Sequence, residues 1–292
     1  MDLSHRNELY AVAMLAIAVA LPGSAAAEPA RDALRVCADP FNIPMSNREQ
    51  AGYENRIASL FADKLGLPLE YEWFPQRIGF IRNTLRNNQT EDGSYKCDLV
   101  MGVIENFEIA APTMPYMRST WAMVYIKGRG VDWIESVDSL RQATPEQVET
   151  LNIGIWDKGP ATDWIFKYGL MEQATPYQIM PGDARVNPGT IIEKDLVQDK
   201  VNVVFVWGPI AGYYAKTIKD HEVVVLPMKS EAGIRFDFQI AMAVRFGEKA
   251  WKETVNTLIR ENQDGINEIL EEYGVPLLEV QYSEADDDDD DD

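Results

Sequence analysis

Leu34-Arg35-Val36-Cys37-Ala38, running into Asp39-Pro40-Phe41-Asn42-Ile43-Pro44, decides the fold. A short apolar run that ends in Asp, Pro and Asn reads as a buried strand stopping at a loop. Downstream, Ile57, Leu60, Phe61 and Leu65 recur at helical spacing, with Gly66 as a natural stop. Leu67, Leu69, Tyr71 and Trp73 alternate as a strand does. Ile78, Ile81 and Leu85 predict a second helix, and residues 97–103 a further continuous apolar strand. This βαβαβ order predicts an α/β protein with mostly parallel sheet and flanking helices.

The pattern recurs. Leu151-Asn152-Ile153-Gly154-Ile155-Trp156 is a strand ending in Asp157-Lys158-Gly159-Pro160, followed by a helix carrying Trp164, Ile165 and Tyr168. Residues 201–207 repeat the buried strand and end in Gly208-Pro209. Residues 223–227 and 237–244 read as strands. Trp251, Val255, Leu258 and Ile259 then mark an amphipathic helix, and Ile266, Ile269 and Leu270 a shorter one. Two such units, each presenting strand ends to the other, predict two lobes around a hinged cleft, because ligands of open α/β sheets sit beyond the strands' carboxyl ends. The expected boundaries are 28–130 for the first part of lobe 1, 131–225 for lobe 2, and 226–282 for the return to lobe 1 with the C-terminal helices.

The chain has 292 residues and a formal net charge of −20, with 27 Lys plus Arg against 47 Asp plus Glu. No basic cluster stands out, so nucleic acid is not an expected partner. Residues 286–292 are all aspartate, and 283–292 are expected to be a solvated, disordered acidic tail. Arg6, the apolar stretch 9–21 and Ala25-Ala26-Ala27 have the order of a secretory signal peptide, residues 1–27, cleaved after Ala27. No later stretch approaches the roughly 20 apolar residues of a membrane span. Export to the periplasm makes the two cysteines, Cys37 and Cys97, an expected disulfide. Only His221 survives cleavage, so a zinc site cannot be assembled.

Catalytic signatures are missing: there is no Gly-x-Ser-x-Gly, no phosphate loop, no His-Glu-x-x-His and no Gly-x-Gly-x-x-Gly. Binding is therefore expected in place of catalysis, with no cofactor and no metal. The strand ends supply the candidate binding residues. Asp39 and Asn42 follow the first strand, Tyr53 and Glu54 open the first helix, and Trp73, Gln76 and Arg77 end the second strand. Arg118, Ser119 and Thr120 lie where the chain approaches the second lobe. Trp156, Asp163, Trp207 and Arg235 complete an aromatic and charged set. Asn47 and Asn55 read as turn or helix caps.

Several stretches taken together resemble one family. They are Leu34-Arg35-Val36-Cys37-Ala38-Asp39-Pro40, Tyr53-Glu54-Asn55, Trp73-Phe74-Pro75-Gln76-Arg77 and Arg82-Asn83-Thr84-Leu85. Further along come Cys97-Asp98-Leu99-Val100-Met101-Gly102-Val103, Pro115-Tyr116-Met117-Arg118-Ser119-Thr120, Val206-Trp207-Gly208-Pro209 and Gly233-Ile234-Arg235-Phe236-Asp237. The chain resembles the quinoprotein-dehydrogenase-associated, solute-binding-like periplasmic proteins of methanol oxidation, over about residues 34–278. Within that family it is more similar to the type beside the lanthanide-dependent enzyme than to the type beside the calcium enzyme. The resemblance implies a type II periplasmic binding fold. It also implies an accessory role in assembly or activation of a pyrroloquinoline-quinone methanol or alcohol dehydrogenase, with that enzyme and its cytochrome c as partners. The alternative is the substrate-binding protein of an ABC importer for a small, non-zwitterionic ligand. Amino-acid-binding relatives clamp the ligand carboxylate with an Arg and the ammonium with an Asp; Phe107 and Trp207 stand about there in this sequence.

Overall fold

The computed structural model describes residues 31–88, 90 and 93–282. The expected signal peptide at 1–27 and the acidic tail at 283–292 lie outside the described residues. The first unit comprises β1 (Leu34–Ala38), the small hairpin β2 (Phe41–Asn42) and β3 (Ser46–Asn47), α1 (Tyr53–Leu65), β4 (Leu69–Trp73), α2 (Phe80–Asn83) and β5 (Leu99–Ile104). A long strand, β6 (Ala111–Ile126), leads through α3 (Val137–Arg141) and α4 (Pro145–Glu149) into the second unit. That unit holds β7 (Ile153–Trp156), α5 (Pro160–Lys167), β8 (Ala174–Tyr177), a π-helical turn at Ile191–Leu196, β9 (Val203–Trp207) and α6 (Gly208–Thr217). The chain returns through β10 (Val223–Pro227), β11 (Asp237–Val244), α7 (Lys249–Glu261), α8 (Gln263–Glu272) and β12 (Leu277–Leu278).

One sheet path, β4-β1-β5-β11-β6-β9-β7-β8, threads both units, with β10 and β12 also on β6. β1 runs parallel to β4 and β5, and β7 parallel to β8 and β9, as the repeated βαβ reading predicts. β6 joins the units. From Ala111 to Thr120 it pairs antiparallel with β11, and from Trp121 to Tyr125 with β9, so the partner changes between two adjacent residues.

Local sequence explains the elements nearest the strand ends. α1 starts at Gly52, whose N–H donates to Asn55 Oδ1 at 3.1 Å, and Asn55 Oδ1 also accepts from Asn47 N–H at 3.2 Å. It stops at Gly66 in the left-handed region, φ 66°, where a side chain would be strained. Ile57, Ala58 and Phe61 are its fully buried face. α2 is shorter than the Ile78, Ile81 and Leu85 spacing predicts. Gly79 at φ 88° breaks the chain before Phe80, which leaves Ile78 89% exposed while Ile81 and Leu85 are buried.

Within the first unit Cys37 and Cys97 form a disulfide, Cα–Cα 5.4 Å, packed with Phe80, Leu85 and Val100. Closing a loop of this length stabilises the fold by about 4 kcal/mol on the loop-entropy model. Beside it the buried Arg245 reaches Asp98 at 2.6 Å, Glu248 at 2.7 Å and the carbonyls of Leu85 and Cys97. Covalent and ionic ties thus join β1 and Arg245 to the segment that leads into β5.

Candidate functional site

The carboxyl ends of β1 and β5 meet the amino end of α1. β1 and β5 pair as far as Cys37 and Val100, and Asp39 and Gly102 each lie two residues further along their chains. Asp39 takes the backbone N–H of Phe41 on Oδ1 at 2.8 Å and that of Gln76 on Oδ2 at 2.6 Å. Burial raises its pKa, against the pull of those two N–H groups and of Arg77. Glu54, in the first turn of α1, lies against Gly102: a Cβ built there would come within 2.4 Å of Glu54 Oε1. Glu54 is 8% exposed, and no described residue donates a hydrogen bond to its carboxyl. Burial, and then the charge of Asp39, push its pKa from 4.5 up to about 8. At neutral pH this group is largely a neutral acid, able to donate as well as accept.

The remaining first-unit candidates surround this pair. Asn42 Nδ2 donates to Gln76 Oε1 at 3.4 Å. Trp73 stacks on Tyr71, centroids 4.6 Å apart, with the Arg48 guanidinium 5.8 Å from its ring. Tyr53 is buried edge-on against Tyr273. Arg77 reaches across to the second unit, where its guanidinium donates to the carbonyls of Pro181 and, at 2.7 Å, Asp183. Nearby, Asn187 Nδ2 donates back to the Phe41 carbonyl at 3.1 Å.

At the change of partner in β6 the candidates hold the backbone. Ser119 Oγ donates to the Pro276 carbonyl and Thr120 Oγ1 to that of Met228, both at 2.8 Å, and both residues are buried. Arg118 gives Nε and Nη2 to Asp237 Oδ2 at 3.0 and 2.7 Å, and Nη1 to the Glu279 carbonyl. Arg235 reaches Glu105 at 3.3 Å and lies 5.0 Å from the Phe238 ring.

The second unit is aromatic where the first is acidic. Trp207 ends β9, sits edge-on to Phe238 at 6.1 Å, and pairs across the sheet with Trp121. Trp156 ends β7, is buried, and tilts against Tyr177. Asp163, in the first turn of α5, is exposed. Phe107 packs with Phe74 against the disulfide cluster. Reasoning on strand ends alone misses Trp121, because it lies mid-strand and no alternation marks it: Ala122, Met123, Val124, Tyr125 and Ile126 are all buried. It also misses Asp237 and Glu105, the partners of the arginines. Among the described residues no group of three or more His, Cys, Asp or Glu is placed to hold a metal ion. No described helix is long and apolar enough to cross a membrane.

No protein-family model matches the chain. The crystal structure of periplasmic binding protein XoxJ from Methylobacterium extorquens AM1 superposes with a TM-score of 0.65 at 33% identity, over 84% of this chain and 99% of that one. MxaJ from Methlophaga aminisulfidivorans MPT superposes at 0.67 with 24% identity, over 84% of this chain and all of that one. Protein MoxJ from Paracoccus denitrificans is 27% identical over 276 residues, 90% of this chain and 95% of the relative. The fold is the type II periplasmic binding fold, as expected. With a third of its residues identical across nearly the whole of XoxJ, the chain belongs to the J-type periplasmic binding proteins of methanol oxidation.

Proposed function

We propose that this protein assists the assembly or activation of a periplasmic pyrroloquinoline-quinone methanol or alcohol dehydrogenase, by binding and not by catalysis. The enzyme is its main partner, and the enzyme's cytochrome c a second. The protein reaches the periplasm by way of the signal peptide at residues 1–27, and its lobes, 28–130 with 226–282 and 131–225, enclose the cleft.

One observation carries the reading. All three arginines expected at the cleft are occupied by the protein itself: Arg77 by two carbonyls, Arg118 by Asp237, and Arg235 by Glu105. Where an amino-acid-binding protein holds an Asp for the ligand ammonium, Trp207 packs on Phe238. A zwitterion closed into such a cleft would leave a charge unpaired, at a cost of several kcal/mol. A chain of this fold that has lost amino-acid capture suits a protein partner better than solute uptake.

A second reading, a substrate-binding subunit of an importer for a non-zwitterionic solute, is favoured by Glu54. No described residue donates to its carboxyl, and a ligand N–H or O–H is the kind of group that could. Deleting the gene separates the two. The accessory role predicts lower quinoprotein dehydrogenase activity per unit of dehydrogenase protein, restored by complementation, whereas normal activity in the deletion strain contradicts it.

A further inference from the structure

We propose that this chain latches its own two units together: the loop after β4 and the loop after β8, each pinned by the aspartate that follows the first strand of its unit, are tied across the cleft by Arg77 and Asn187. The latch is a property of the free protein, so its failure would leave the partner reading above standing.

The pinning device occurs twice. β1 pairs with β4 as far as Ala38 opposite Trp73, and the next residue, Asp39, accepts the Gln76 N–H at 2.6 Å and the Phe41 N–H at 2.8 Å. β7 pairs with β8 as far as Trp156 opposite Tyr177, and the next residue, Asp157, accepts the Ile179 N–H at 3.1 Å. Each carboxyl thus follows a parallel pair by one residue and fixes the loop that leaves the neighbouring strand. A carboxylate that receives a backbone N–H makes a charge-assisted bond, the stronger kind.

The pinned loops then meet. Arg77, next to Gln76, donates to the carbonyls of Pro181 and, at 2.7 Å, Asp183, both just past Ile179. Asn187 Nδ2 donates at 3.1 Å to the carbonyl of Phe41, the other residue that Asp39 pins. The Gly189 N–H, 2.9 Å from Asn187 Oδ1, sets which way that amide faces. Met45, between β2 and β3, packs on the buried cluster that holds Ile57 and Phe61 in the first unit and on the one that holds Val204 and Ile210 in the second. The three carbonyls belong to loops, so these bonds need the loops in one shape. The aspartates supply that order before closure and reduce its entropy cost. In hinged binding proteins a ligand bonded to both lobes shifts the balance from open to closed. Here side chains of the protein make bonds of that kind.

The test reads the distance between spin labels at Lys64→Cys and Glu172→Cys, exposed positions on separate units, in the full exported protein. The parent is measured as purified and again after unfolding in urea and dialysis, which removes any bound solute. It should give one short distance both times. A rotation of about 15° moves points roughly 20 Å from a hinge by about 5 Å, so an open molecule reads as a longer distance. Arg77→Ala/Asn187→Ala should raise the open population by about tenfold or more, since a bond from a charged donor is lost together with a neutral one. Asp157→Ala should raise it too, although its bond is to Ile179 of its own unit, and Lys127→Ala, whose partner is Glu222, should not. Should the double variant fail to fold, Asp157→Ala alone decides. A parent that is open both times, or a double variant that stays closed, overturns the latch. Opening by the double variant without opening by Asp157→Ala overturns the pinning role. A parent closed as purified and open after dialysis overturns the latch as well, and assigns closure to a solute.

Discussion

The two βαβ units share an architecture and end their strands in opposite chemistries. The first closes on carboxyls, Asp39 and Glu54, and is tied by the Cys37–Cys97 disulfide and the Arg245 ion pairs. The second closes on indoles, Trp156 and Trp207, joined by Trp121 from β6, and among the described residues it holds no disulfide. Repeating a fold therefore does not repeat a site. One side offers acids, the other apolar rings, and Arg77, Arg118 and Arg235 are each bound within the protein.

The largest effect expected from breaking this contrast is at the disulfide. Replacing both Cys37 and Cys97 with Ser should lower unfolding free energy by about 4 kcal/mol, measured by urea denaturation. A loss under about 1 kcal/mol would mean that the Arg245 cluster and the surrounding core hold the first unit without it.

Glu54 sharpens the comparison through pH. Its folded pKa of about 8 lies above the ordinary 4.5, so the folded state holds a proton that the unfolded chain releases. Its contribution is fully present below pH 4.5 and is lost as pH rises through about 8. Glu54→Gln should flatten this dependence and make the variant more stable than the parent at pH 9, by roughly 2 kcal/mol. Urea melts at pH 6 and pH 9 check it, and an unchanged slope between the two proteins counts against a buried, proton-holding Glu54.

A smaller loss is expected at Gly102. Its φ of 64° and the Glu54 carboxyl beside it both oppose a side chain. Gly102→Ala should destabilise by about 1–2 kcal/mol. Pairing it with Glu54→Gln tests whether the two act together, since contacting residues depart from additivity. Strict additivity would show that backbone strain alone is responsible.

Much of the fold is legible in the sequence. β1, β10 and β11 are read with their observed limits, and Tyr53 and Gly66 bound α1 as their residue types suggest. β6 is not legible. Pro112 and Pro115 argue against a central strand, since neither donates to the ladder. The structure accommodates them where the register with β11 shifts, opposite Ala243 and Ala241. The site is legible as a set of residue types and less so as roles. Arg118, Ser119 and Thr120 read as ligand contacts, yet their bonds go to Asp237 and to backbone carbonyls supplied from more than 100 residues away. No local pattern encodes such partners. Trp207 was visible at its strand end, but its neighbour Trp121 depends on pairing that only the folded sheet reveals.

Calorimetry tests the central claim most directly, with the exported protein titrated by purified quinoprotein dehydrogenase and by each of the common amino acids. Saturable heat with the dehydrogenase and only dilution heat with every amino acid are expected, because Arg77, Arg118 and Arg235 are bound within the protein and Trp207 packs on Phe238. Micromolar binding of a free amino acid, with no heat from the dehydrogenase, would contradict it.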